Sequence, residues 1–160
     1  MKIPALTTQQ MIDVDTLMIK DVPAHQFRIL EALGLENEVA PDLKTADLVL
    51  DALIGYGLAG NARGPVAAWI ERINDSSRPV LALDAPSGLN TTTGVPGTPC
   101  IRATATLTLA LPKTGLFTPE AQPFVGDLYL ADISVPPELY RRLGLEIPPL
   151  FTSDSILKIS

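Results

Sequence analysis

The chain has 160 residues, enough for one domain with a sizeable core and too few for two. Its apolar fraction is 46% and its aromatic fraction only 5%, which suits a Leu/Ile/Val/Ala core of the α/β kind better than an aromatic-rich sandwich. A net charge of −6 without any Lys/Arg cluster lacks the electrostatic footprint of a nucleic-acid binder, and no apolar run approaches the roughly 20 residues that cross a bilayer.

In chain order, Met1 to Gln10 holds one lysine and no apolar stretch, so it does not read as a secretory signal. Thr7 caps a first helix, with Gln10 in capping-box position and Met11, Val14, Leu17 and Met18 at helical spacing up to about Lys20. Asp21 and Pro23 open a second helix, striped by Phe27, Leu30 and Leu33 and stopped by Gly34. From Asp47 to Ile54 a nearly continuous apolar run, broken by Asp51, predicts a strand covered on both faces. Gly64-Pro65 starts a helix with Val66, Trp69, Ile70 and Ile73 on one face. Pro79 to Leu83 is a second buried strand ending at Asp84, followed by a loop rich in Gly, Thr and Pro from Pro86 to Pro99. The single cysteine, Cys100, has no internal disulfide partner and fits a reducing compartment. Ala105 to Leu111 and Asp127 to Ile133 read as further strands, Pro137 to Leu143 as a short closing helix, and the tail after Pro148 is weakly patterned. Strands alternating with helices predict a mostly parallel sheet in one domain, without internal repeat or linker. The expectation is a soluble, cytoplasmic protein.

Ligands of open α/β sheets collect at the carboxyl ends of strands, where loops converge and helix N-termini point their N–H groups outward. Gly55-Tyr56-Gly57-Leu58-Ala59-Gly60 matches G-x-G-x-x-G directly after a strand. Such glycines let backbone approach a pyrophosphate, but the helix starts only near Gly64, and a flexible turn explains the motif as well. Asp84-Ala85-Pro86-Ser87-Gly88 places an acid at the next strand end, facing the same crevice or capping its own turn. Asp51 inside an apolar strand must be partnered or bind a cation. Lys113, just past a third strand end, reads alone as a solvated loop lysine, and His25, the only histidine, as a surface residue. Without a second histidine, Ser-His or Cys-His nucleophilic chemistry and His/Cys zinc sites are unsupported.

Taken together, six segments in order resemble the YjeF-like N-terminal domain, the NAD(P)H-hydrate epimerase family. They are Asp47 to Gly60, Arg63-Gly64-Pro65, Pro79 to Gly88, Thr93 to Gly97, Ala105 to Gly115 and Gly126 to Pro136, within roughly residues 22 to 145. Residues 1 to 19 also resemble the family's opening helix. The resemblance implies a Rossmann-like three-layer αβα sandwich, a homodimer, and interconversion of the R and S forms of hydrated NADH and NADPH. It assigns Asp84 as catalytic and substrate-contacting acid and Lys113 as a lysine near the nicotinamide end. It also makes Asp51 and Ser87 ligands of a potassium ion. Gly55, Tyr56, Gly57, Leu58, Ala59, Gly60 and Asn61 become the loop holding the substrate's phosphates. The chain departs from the family between Lys20 and Val22, where members carry a strand, a loop resembling G-N-N-G-G-D-G, a helix and usually a second strand. Residues 1–160 are thus expected to form one domain with an internal deletion near 20–22, either in the gene or in the sequence as written.

The hydrate carries a hydroxyl on the ring carbon beside the ring nitrogen. Protonating it lets the nitrogen lone pair expel water, which can re-enter from either face, so the reaction needs an acid/base group and a held water. Asp84 is expected to be that group. A non-catalytic nucleotide-binding or protein-interaction module derived from the same fold is the alternative. An NAD-dependent dehydrogenase fits less well, because the glycine motif falls mid-chain and no histidine stands near it.

Overall fold

Four apolar runs and one short tail segment form the sheet of the computed structural model, which describes residues 41–58, 60–142 and 144–160 together with the helical Ala32. The rest of the two N-terminal helices, His25, the junction at 20–22, Ala59 and Leu143 lie outside the described residues. The elements are β1 (Val49–Asp51), α1 (Gly64–Asp75), β2 (Val80–Leu83), β3 (Ala105–Leu109), α2 (Gln122–Val125), β4 (Asp127–Ala131), α3 (Pro137–Arg142) and β5 (Ile156–Lys158), with 3₁₀ turns at Leu43–Thr45 and Thr114–Phe117. The sheet order is β1-β2-β3-β4-β5. The first three pairings are parallel and the last is antiparallel. This is the expected α/β architecture with a mostly parallel sheet.

Register decides which side chains share a face. Val49 pairs with Val80, Ala82 with Thr106, and Thr106 with Leu128. All five are buried and form one face. Ile70 and Ile73 of α1 pack over Val49, Val80 and Ala82, while Val125 of α2 packs in a second cluster with Leu128, Leu116 and Leu89. Each buried isoleucine or leucine contributes about 1.5–3 kcal/mol of hydrophobic stabilisation. Helix α1 starts where the sequence placed it: Arg63 is extended, and Pro65 occupies the first turn, where a missing N–H costs nothing. It ends as the Ser76 hydroxyl donates to the Ile73 carbonyl at 2.6 Å and Ser77 turns to positive φ.

Three differences from the sequence reading concern strand edges. Strand β1 is shorter than Asp47 to Ile54 and is not covered on both faces: among the described residues it is the edge strand, Val49 and Asp51 point inward, and Leu50 is 58% exposed. It stops at Asp51 because the Leu53 N–H turns back to the Asp51 carboxylate at 3.3 Å. Strand β3 stops at Leu109, since Ala110 takes a φ of 62° and the Leu111 N–H donates to the Leu109 carbonyl at 2.7 Å. The weakly patterned tail supplies β5, which pairs with β4 through Tyr129–Lys158, Leu130–Leu157 and Ala131–Ile156.

Candidate functional site

Parallel pairing of β1, β2 and β3 brings three strand ends side by side, and each carries a polar group that the sequence singled out. At the first, Asp51 is fully buried and fully partnered. Its Oδ2 accepts the Ser87 N–H at 2.8 Å, and its Oδ1 accepts the Ser87 hydroxyl at 2.7 Å as well as the Leu53 N–H. Ser87 Oγ lies 3.1 Å from the Ile54 carbonyl and accepts the Ile54 N–H at 2.9 Å. Its single proton goes to the nearer, charged acceptor. The network ties the start of the 55–61 loop to the loop after β2, and it satisfies a carboxylate that would otherwise be costly to bury.

At the second strand end, Asp84 adopts a φ of 70°, its N–H donates to the Leu107 carbonyl, and the Ala85 N–H donates to the Leu83 carbonyl at 2.9 Å. A positive φ closed by an i to i+2 bond is the rare, strained form of γ-turn. Ala110 makes the same turn at the end of β3. Side by side, the two turns aim Asp84 and the segment leading to Lys113 at each other. Lys113 forms an ion pair with Asp84 Oδ1 and also donates to Thr108 Oγ1 at 3.2 Å and to the Leu109 carbonyl at 3.3 Å. Both side chains are largely shielded from solvent, Lys113 at 18% and Asp84 at 13% exposure, so Lys113 is not the solvated loop residue that its flanks suggested. Asp84 Oδ1 accepts the Leu109 N–H as well, at 3.2 Å. The other oxygen, Oδ2, faces Gly55: a Cβ there would stand 3.6 Å from it.

The glycine-rich loop is held from behind. The Thr91 hydroxyl donates to the Tyr56 carbonyl at 3.1 Å, and Asn61 Oδ1 accepts the Thr98 N–H at 3.0 Å. Gly60 has a φ of 86°, a conformation that side chains resist. Ile54 thus stands beside Ser87, Gly55 beside Asp84, Tyr56 beside Thr91 and Asn61 beside Thr98, with α1 beginning only at Gly64. Sequence reasoning missed Thr91 and Thr108. Thr108 carried a signal: with Thr106 it is one of two threonines at i and i+2 in an apolar strand, both fully buried.

Burial first, and then the Asp51 charge, push the Cys100 thiol up to about 12, which removes it as a nucleophile. Among the described residues no three His, Cys, Asp or Glu side chains gather as a metal cluster. The donors around Asp51 are all oxygens: a carboxylate, a hydroxyl and a carbonyl. Among the described residues no helix is long and apolar enough to cross a membrane.

The model of the family described as YjeF-related protein N-terminus matches residues 7–115. The chain is 38% identical over 130 residues to an NAD(P)H-hydrate epimerase of Dehalogenimonas lykanthroporepellens, covering 80% of this chain and 51% of that protein. It is 48% identical over 94 residues to a bifunctional NAD(P)H-hydrate repair enzyme of Moorella thermoacetica, covering 59% of this chain and 18% of that protein. The chain thus spans about half the length or less of these two relatives. A solved yeast structure, ynu0 (YNL200c), superposes with a TM-score of 0.55 at 20% identity over 71% of this chain and 46% of that one, a likeness of fold.

Proposed function

Because the chain belongs to the family of YjeF-related N-terminal domains, we propose that it interconverts the R and S forms of hydrated NADH and NADPH, with Asp84 as the acid/base. The observation that carries this reading is the division of labour on the Asp84 carboxyl. Oδ1 is committed to the Lys113 ammonium and the Leu109 N–H, while Oδ2 is turned away from them toward Gly55, at the start of the loop. Asp84, a carboxylate in its ion pair with Lys113, first takes a proton from solvent on Oδ2, and Oδ2–H then gives that proton to the hydroxyl on the ring carbon beside the nitrogen. The nitrogen lone pair expels water and leaves a ring cation. Water then adds to either face and returns one proton to Oδ2, so the cycle consumes nothing. The Lys113 ammonium balances the carboxylate during the interval when the proton is away, which favours transfer to the leaving group.

The resemblance also implies a potassium ion, and the oxygen-only donor set at Asp51 suits a hard cation rather than zinc. Asp51, Ser87 Oγ and the Ile54 carbonyl would hold it, and its charge would support the phosphate loop. Gly55 to Asn61 would hold the phosphates by backbone N–H groups. Assembly as a homodimer and residence in the cytoplasm rest on the resemblance and on the lone buried thiol.

The deciding experiment is epimerisation of hydrated NADPH by wild type and Asp84→Asn, with intact mass recorded on the same sample. A loss of about 10²–10⁴-fold in turnover is expected, the range of general acid–base help. Unchanged turnover in a folded Asp84→Asn protein would sink the assignment. The departure from the family between Lys20 and Val22, where members carry the glycine-rich loop, supports a second reading, a binding module. A thermal shift with ADP-ribose or potassium, in wild-type protein without turnover, would favour that reading.

A further inference from the structure

An ammonium group has three protons to donate, and at Lys113 each has an acceptor: Asp84 Oδ1, Thr108 Oγ1 and the Leu109 carbonyl. Lys113 therefore has no proton left for a substrate in this arrangement, and its influence reaches the site through Asp84. A four-carbon stem gives up rotamer freedom when it is held, so its position depends on how many anchors hold it. Of the three, the carbonyl belongs to the backbone and Asp84 is the group being served. Thr108 is the one side chain left whose part is to hold the amine in place.

The inward threonines of β3 differ in task. The Thr106 hydroxyl donates to the Val125 carbonyl at 2.7 Å and so ties α2 to the sheet. Thr108, two residues nearer the site and fully buried, accepts from Lys113 instead. Valine would fill nearly the same volume, so what the threonine adds at this position is the oxygen that accepts from Lys113.

We propose that Thr108 is a positioning residue that fixes the Lys113 ammonium against Asp84 Oδ1 and thereby leaves Oδ2 as the oxygen that exchanges a proton with substrate. The role in catalysis rests on Asp84 being the acid/base; the clamp on Lys113 does not. Without the hydroxyl the amine pivots about two anchors and spends part of its time away from Oδ1.

The test follows the Lys113 ammonium itself, in full-length protein with ¹⁵N-labelled lysine side chains, its resonance identified by its absence from Lys113→Arg. Thr108→Ser keeps the acceptor and should preserve the slow exchange of the Lys113 protons with water. Thr108→Val should speed that exchange on the order of tenfold, the weight of one hydrogen bond to a charged group, and should lower kcat more than it alters KM. Thr108→Ala replaces Val if the latter does not fold. A merely structural threonine would change the melting temperature and leave the Lys113 exchange rate alone. Native exchange in a folded Val or Ala variant overturns the proposal, whatever the activity. Full turnover in Asp84→Asn would instead overturn the acid/base reading and leave the exchange result standing.

Discussion

Asp51→Asn tests whether the buried carboxylate is there for its charge or for its shape. The site allows the amide one workable orientation. Its carbonyl must face the Ser87 N–H, the partner of Oδ2, because that N–H can only donate. The amide nitrogen then occupies the Oδ1 position and donates to Ser87 Oγ, whose own proton swings to the Ile54 carbonyl 3.1 Å away. The Leu53 N–H, which Oδ1 had accepted, is left facing a donor. Two hydrogen bonds lose their charge assistance, about 1 kcal/mol together, and one part-buried N–H loses its acceptor, about another 1–2 kcal/mol. The sum, about 2–3 kcal/mol, corresponds to a fall in melting temperature of roughly 5–10 °C for a chain of this size. Asp51→Ala deprives both N–H groups of an acceptor and leaves a void, so it should fall further, by about 4 kcal/mol or more. Thermal unfolding followed by near-ultraviolet circular dichroism orders the three proteins. An Asn variant as stable as wild type, or no better than Ala, would show that the carboxylate network does not link the two loops as described.

Three further outcomes follow from the same geometry. At Gly88 the backbone has a φ of 100°, and a Cβ would lie 2.5 Å from the Pro99 carbonyl oxygen and 2.7 Å from Cys100 Cα, both backbone atoms. Gly88→Ala should therefore cost several kcal/mol, and a melting temperature within a few degrees of wild type would refute that packing. Ala110→Gly should stabilise by about 0.5–1 kcal/mol, because relief of the left-handed strain exceeds the extra freedom gained by the unfolded chain; lower stability in urea titration would show that Ala110 is not strained. Cys100 sets a dependence on alkali. Its thiol titrates near 9 when unfolded and near 12 in the fold, so above pH 9 the unfolded chain releases a proton that the folded one keeps. Stability present below pH 9 is thus lost by about 1.4 kcal/mol per pH unit up to pH 12. Urea titrations of wild type and Cys100→Ala at pH 8 and 10.5 should diverge by that slope, and parallel behaviour would contradict the burial of the thiol.

The strand ends were legible because an acid or lysine next to a buried apolar run is a local signal. Asp51, Asp84 and Lys113 stood out on that ground, Ser87 only through the family resemblance, and of the first β-α-β stretch the helix begins where its pattern says while β1 is shorter and more exposed. What joins them was not legible, since it depends on register. Asp84 and Lys113 are 29 positions apart, and they meet because β2 and β3 pair as Ala82–Thr106 and Leu83–Leu107 and both end in strained γ-turns. No propensity marks Ala110 for positive φ, and a lysine flanked by Pro112 and Thr114 reads as solvated until β3 is placed beside β2. Strand β5 escaped for a related reason: three residues of weak pattern become a strand only because the β4 edge offers them partners.

The strain at Asp84 and Ala110 sets where the ion pair forms. Were both strands to end in ordinary extended backbone, Asp84 and Lys113 would continue along their strands and diverge with the sheet's twist. Each γ-turn instead folds the chain back within one residue, so that the carboxyl accepts the N–H of Leu109 and the ammonium donates to the carbonyl of the same residue. Leu109 thus holds both partners of the ion pair through its own peptide groups. A site built this way keeps its charges in register largely through backbone groups, to which the Thr108 hydroxyl adds a side-chain anchor. Fold strain on the order of 1–3 kcal/mol per turn is retained where relaxing it would separate the acid from its counter-ion.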